Sequence, residues 1–222
     1  MPLTPGELLD TAIGRSGLPG ATAIARRGKR LGIETVRDLL FHLPRRYDDL
    51  REMRTLGELR WLPDGQVISA RVRVADLRVE ASFRRRTQRT VARLEDDTGS
   101  VDATWFGRRF IERRLNVDDP IVVSGKVRHF GRSLTLDNPE FQPDDGSALL
   151  HAGRIVPFYR LTAGIAVASL RRAVRGALDA TASAYPEYLP GATRASNGLV
   201  SIGEALEEAH YPTTFEGRDE AL

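Results

Sequence analysis

A chain of 222 residues, 41% hydrophobic and 28% charged, is long enough to bury one large core or two small ones. It has no cysteine, which excludes disulfides and thiolate metal sites. The formal net charge is only +3, so bulk charge does not name a partner, and no run of about 18 apolar residues offers a membrane span. The placement of the cations says more. Only Lys29 and Lys126 are lysine among 33 basic residues, and between Arg71 and Arg93 eight arginines stand against Asp76 and Glu80 alone. Codon usage in a GC-rich genome can raise an arginine count, but it does not cluster them. A guanidinium holds phosphate through two bonds at once and stacks on bases, which an ammonium does not.

Three segments follow in chain order. Residues 1–58 read as helical, with Leu8, Leu9, Ala12 and Ile13 and then Val36, Leu39, Leu40 and Leu43 at helical spacing. Thr35 suits the N-cap of the second run and Pro44 closes it. Between them Gly17-Leu18-Pro19-Gly20 leads into a helix expected over Ala21 to Leu31, an arrangement resembling a helix–hairpin–helix. Its turn suits either backbone contacts to a phosphate or plain helix packing.

Residues 59–145 are β-rich. Ile68, Ala70, Val72 and Val74 alternate with polar residues, Thr90 to Asp96 gives a second strand, and Asp97-Thr98-Gly99 turns into a third carrying Val101, Ala103 and Trp105. A short helix is expected over Arg108 to Leu115. Strands at Ile121 to Phe130 and Ser133 to Asp137 follow, joined at Gly131-Arg132 and ended by Asn138-Pro139. Three strands, a helix and two strands is the order of a five-stranded OB barrel. Residues 146–222 read as a helical linker, with helices near Ala166 to Ala182 and Ser201 to His210, and too few apolar residues to stand alone. The fold class expected is therefore α+β, a central OB barrel flanked by helical segments.

No catalytic site emerges. Gly28-Lys29 and Gly125-Lys126 both lack the earlier glycine and the following Ser or Thr of a P-loop. The histidines (His42, His129, His151, His210) lack metal-ligand spacing. No cofactor or metal is expected in this chain.

A nucleic-acid groove is the positive reading. Strand parity turns Arg71, Arg73, Arg93, Lys126 and Arg128 outward. The loop between the first two strands carries Arg84, Arg85, Arg86 and Arg89, and the last hairpin carries Arg132. OB folds grip oligonucleotides with these two loops. Phe106 falls on the polar side of the third strand and Phe110 four residues on, beside Arg108 and Arg109. Such rings form a stacking platform, or else fill gaps in the core or an interface.

Leu31 to Tyr47 (LGIETVRDLLFHLPRRY), Asp96 to Ser100, Trp105-Phe106, Val123 to Val127, Asn138 to Phe141 and Pro157 to Gly164 occur in this order, and on them the chain resembles the N-terminal part of the RecG family of branched-DNA helicases. The resemblance implies that the barrel is the wedge that splits the arms of a replication fork or Holliday junction. Phe106 and Phe110 match the family's two stacking aromatics, the second of which is commonly Tyr. It also implies a monomeric, cytoplasmic, nucleoid-associated protein of DNA repair and recombination. Branched or single-stranded DNA would be its partner, with the acidic tail of single-stranded-DNA-binding protein as a further one. The ATPase motor is expected beyond Leu222, so ATP and Mg would belong there and this chain would be a piece of a longer helicase or a stand-alone remnant. The residues alone also allow a general single-strand-binding OB protein or an OB module for an acidic peptide.

Overall fold

The computed structural model describes residues 3–81, 88–107, 111–131, 133–146 and 149–221. The chain divides into two compact units, one of residues 1–48 with 155–222 and the other of residues 49–154.

The first unit joins the first and third sequence segments. Helices α1 (Pro5–Asp10), α2 (Ala21–Ala25) and α3 (Val36–Leu40) come from its N-terminal part. Thr4 with Glu7, and Thr35 with Asp38, form capping boxes on α1 and α3, satisfying backbone donors that a helix start leaves open. Strand β1 (Arg46–Asp49) pairs with a later strand, β7 (Ile155–Phe158), and is followed by α4 (Val167–Thr181), α5 (Gly191–Ser196), α6 (Ile202–His210) and α7 (Phe215–Ala221). Ser201 and Glu204 cap α6 as their spacing predicts. Helix α5 lies between the two helices expected in the third segment, where no helix was expected.

The helix expected over Ala21 to Leu31 stops at Ala25, and a 3-10 turn covers Gly28–Leu31. Gly28 packs so close to Ile33 that an added Cβ would sit 2.8 Å from the Ile33 carbonyl oxygen. The glycine turn before α2 is likewise a packing element. A Cβ on Gly20 would lie 2.4 Å from the Ser169 carbonyl oxygen, and Pro19 lies against Gly176 of α4.

The second unit is a closed barrel of β2 (Val67–Ala81), β3 (Gln88–Asp96), β4 (Gly99–Phe106), β5 (Pro120–Phe130) and β6 (Ser133–Pro143), in the order β2-β3-β4-β6-β5. Neighbours are antiparallel except the parallel pair β4 and β6. This is the expected OB fold. Ile68, Ala70, Val72, Val74, Ala92, Leu94, Val101, Ala103, Trp105, Val123, Val127 and Leu136 fill its core. Ile111 and Leu115 join them from the segment after β4, of which Ile111–Arg113 is a 3-10 turn.

The barrel unit extends past residues 59–145 at both ends. Leu56, expected in the helical segment, is buried in the barrel core together with Leu59. Their 3-10 turn is held there by Asp96, whose Oδ2 accepts the Leu56 N–H at 2.7 Å, and by Thr98, whose hydroxyl accepts the Gly57 N–H at 2.8 Å. At the other end, the Leu150 N–H donates to Gln142 and the Leu50 N–H to the Arg154 carbonyl.

Strand β6 also outruns its expected end at Asn138-Pro139. Asn138 takes a left-handed φ of 45°, the β5–β6 register shifts between Ser124 and Lys126, and pairing resumes as far as Pro143. Gly125 permits this, since a Cβ there would meet the Pro139 Cβ at 2.7 Å. No helix among the described residues is long and apolar enough to cross a membrane.

Candidate nucleic-acid interface

The outer face of the barrel carries side chains in rows set by register. One row runs Glu80, Arg89, Phe106 across β2, β3 and β4; the next runs Arg78, Val91, Thr104, Asp137; a third runs Asp76, Arg93, Asp102, Thr135. Together with Arg128, Phe130, Ser133 and Leu134 of the β5–β6 hairpin they line a groove of about 540 Å³. Val91 and Thr104 point outward by parity yet are buried, so they form the floor beneath longer neighbours.

Phe106 lies at one end of this groove, 53% exposed, directly opposite Arg89. Its position follows from its neighbour. Trp105 is fully buried, its indole N–H donates to the Pro139 carbonyl at 2.7 Å, and its ring meets Phe141 edge-on at 5.8 Å. Strand alternation then forces Phe106 outward, and the Phe106 N–H is held by Asn138 Oδ1 at 3.1 Å. An apolar ring is thus kept in solvent by a rigid support.

Among the described residues the lining is electrically balanced. Arg78, Arg89 and Arg128 stand against Glu80, Asp102 and Asp137. Arg89 binds Glu80 at 2.5 Å, and Arg78 spans Glu80 at 3.0 Å, Asp76 at 3.4 Å and Asp102 at 3.5 Å. Arg93 holds Asp102 at 3.1 Å, and Arg128 holds Asp64 at 2.8 Å. Hydrogen bonds from Arg89, and then from Arg78, keep the Glu80 carboxyl below its ordinary range. The His129 N–H and the Arg128 guanidinium do the same for Asp64. Exposed pairs of this kind contribute only ~0–1 kcal/mol each, so a phosphate can displace the carboxylates at small cost.

The expected site residues divide accordingly. Phe106, Arg89 and Arg128 line the groove, Arg93 reaches it through Asp102, and exposed Lys126 stands opposite Asp137 in register. Arg71 and Arg73 do not share it. Arg71 is bound by both oxygens of Asp144 at 2.8 Å, and Arg73 by Asp118 at 2.6 Å and Glu95 at 3.5 Å. Asp144 borders a separate hollow where Asp119, Asp144 and Asp145 outnumber Arg114, which is unsuited to phosphate. Arg84, Arg85, Arg86, Arg108, Arg109, Phe110 and Arg132 lie outside the described residues.

Phe130, in the last hairpin, and Arg78 also line the groove without standing among the expected site residues. Phe130 shares the outward parity of Lys126 and Arg128, a signal available from sequence. Arg78 lies beyond a bulge between Val74 and Asp76 that reverses parity along β2.

The RecG wedge domain family matches residues 22–181. The ATP-dependent DNA helicase RecG of Thermotoga maritima is 29% identical over 191 residues, covering 84% of this chain and 24% of the relative. That of Synechocystis is 31% identical over 203 residues, covering 85% and 24%, and that of Escherichia coli K12 is 29% identical over 211 residues, covering 93% and 29%. The chain thus spans about a quarter of the length of these relatives. A structure of RecG bound to a three-way DNA junction matches 96% of this chain and 28% of that one, with a TM-score of 0.75 and 26% identity. Barrel order, quoted motifs and family match coincide, and the chain belongs to the RecG wedge domain family.

Proposed function

We propose that this chain binds branched DNA, with the barrel groove receiving strands at a fork or junction and Phe106 stacking on a base exposed at the branch point. The observation that carries this reading is the solvated Phe106 ring fixed over buried Trp105 at the end of an arginine-bordered groove. A relative of the same family bound to a three-way junction supports it. Arg78, Arg89, Arg93 and Arg128 exchange carboxylates for phosphates on binding. Lys126, the loop arginines Arg84, Arg85 and Arg86, and Arg108, Arg109 and Arg132 add phosphate contacts, and Phe110 adds a second ring at the branch. Arg71 and Arg73 contribute to the surrounding field. The chain supplies binding and arm separation, and helicase chemistry belongs to the whole protein. An acidic protein tail is a weaker occupant, because the charge of the described lining sums to zero.

Opening a base pair costs a few kcal/mol, and stacking on a ring returns roughly 1–3 kcal/mol. Phe106→Ala is therefore expected to weaken fork binding about 5- to 150-fold while changing duplex binding little. Fluorescence anisotropy with fork, single strand and duplex checks this, and equal losses on all three would refute the stacking role. Binding by the wild-type chain should fall with salt, with a log–log slope of about −3 from the four groove arginines and a steeper one as the loop cations engage phosphates.

Glu80→Gln acts in the opposite direction. It releases Arg89 and one arm of Arg78 and removes a negative charge from the groove. Fork affinity should rise about two- to fivefold in the same titration. A decrease would mean that Glu80 orders the arginines for DNA and does not compete with it.

A further inference from the structure

We propose that Phe130 is a second base-stacking position, so that the groove carries a short single strand from the branch point at Phe106 to the tip of the β5–β6 hairpin. This rests on the branched-DNA reading above and adds the path of one strand.

Phe130 lines the same groove as Phe106 and is 68% exposed, the more solvated of the two rings. Its root is held firmly. The preceding His129 donates its backbone N–H to Asp64 Oδ1 at 2.9 Å and its ring Nε2–H to the Leu62 carbonyl at 2.9 Å. Arg128 holds the other oxygen of Asp64. Gly131, at a φ of 61°, turns the chain immediately after the ring. An apolar ring fixed at its root and left in solvent is set up to receive another flat apolar surface, and a nucleotide base provides one.

The spacing points to the class of ligand. Asp102 of β4 aligns with Thr135 of β6, and Ser133 is the cross-strand partner of Phe130. Ser133 is two residues before Thr135 and so aligns with residue 100, six residues from Phe106. At roughly 3.3 Å per residue the two rings stand ~20 Å apart along the strands. Successive bases of a duplex strand rise only about 3.4 Å, so the rings cannot clamp neighbouring bases. They suit two bases separated by several nucleotides of one extended strand, within the roughly 4–16 nucleotides an OB fold holds. Arg89, Arg78 and Arg128 line the same groove as phosphate contacts, and Val91, Thr104 and Leu134 complete a floor that needs no particular base.

The test uses the whole chain and forks carrying 2-aminopurine at successive positions of a single-stranded arm. Two zones of altered fluorescence are expected, one at the branch and one several nucleotides along the arm. Phe130→Ala should abolish the distal zone and weaken binding to long-armed forks roughly 5- to 100-fold, leaving the branch zone and binding to armless junctions unchanged. Phe130→Trp should restore both, and Phe106→Ala should abolish only the branch zone. If Phe130→Ala leaves the distal zone and long-arm affinity unchanged while Phe106→Ala acts as expected, the strand path is wrong and the branch reading stands. If the branch zone is absent from the wild-type chain, the branch reading fails independently of Phe130. A wild-type chain that binds no fork overturns both.

Discussion

Trp105→Ala is expected to destabilise the barrel by about 3–5 kcal/mol, the range for emptying a buried aromatic site. The indole fills the centre of the core, beside Phe141, with none of its surface exposed. Its N–H is also the partner of the Pro139 carbonyl, directly after the left-handed residue Asn138. Asn138 in turn accepts the Phe106 N–H, so Trp105 and the end of β6 together fix the direction of the exposed ring. Stability and site geometry therefore share one residue. Urea unfolding of the chain measures the first. Trp105→Phe separates the second, because it keeps an apolar ring but leaves the Pro139 carbonyl to find water, at a cost of about 1–3 kcal/mol. That variant should fold at reduced stability and still lose fork affinity, although Phe106 is intact. A loss below about 1 kcal/mol for Trp105→Ala would mean that the core closes over the gap and that the indole is not its keystone.

The barrel was legible because its strands obey two local rules at once. Val101, Ala103 and Trp105 alternate cleanly, and Asp96 begins a turn whose side chain accepts the Thr98 and Gly99 N–H groups, so register and turn chemistry agree. Phe106 came from the same parity. What escaped depends on contacts far apart in sequence. The bulge after Val74 inserts one residue without a glycine to mark it, and it reverses which side chains of β2 face outward, exposing Arg78. The pairing of β6 beyond Pro139 depends on the absence of a Cβ at Gly125, fourteen positions earlier. The pairing of the clustered arginines was hidden for a similar reason. A count from Arg71 to Arg93 sees eight arginines, whereas Asp102, Asp144 and Asp118, which neutralise several of them, arrive from other strands and loops. A linear charge run thus overstates a surface potential wherever strands interleave opposite charges. Cross-strand ladders favour such pairs, which contribute roughly 0.2–1 kcal/mol each.

The joining of the first and third sequence segments was equally hidden, and the residue that ties them yields the other large prediction. The helical unit should lose about 3 kcal/mol of stability as pH falls from about 6.5 to about 4, because of His210 alone. His210 is completely buried in α6. Its Nε2–H donates to the Leu40 carbonyl of α3 at 2.7 Å, and its Nδ1 accepts from the Tyr159 hydroxyl at 2.9 Å. Burial disfavours the charged ring and pushes it down to about 4 from an ordinary 6.5, against the opposing pull of the Leu40 carbonyl; His42 and Arg175 add a smaller effect in the same direction as burial. The folded value lies below the unfolded one, so stability is fully present above pH 6.5. As pH falls the unfolded chain takes up a proton first, and the difference grows until the folded ring also protonates near pH 4. A charged His210 would also compel Nδ1 to donate, turning the Tyr159 hydroxyl away from its present bond. Urea unfolding followed by helical circular dichroism, repeated between pH 7 and pH 4.5, reads this slope. His210→Gln should be less stable at neutral pH yet nearly flat between pH 6.5 and 5, above the range in which the capping carboxylates Glu7, Asp38 and Glu204, all held below their ordinary values, begin to protonate. Parallel slopes for the two proteins would assign the acid sensitivity to other groups and leave His210 as packing alone.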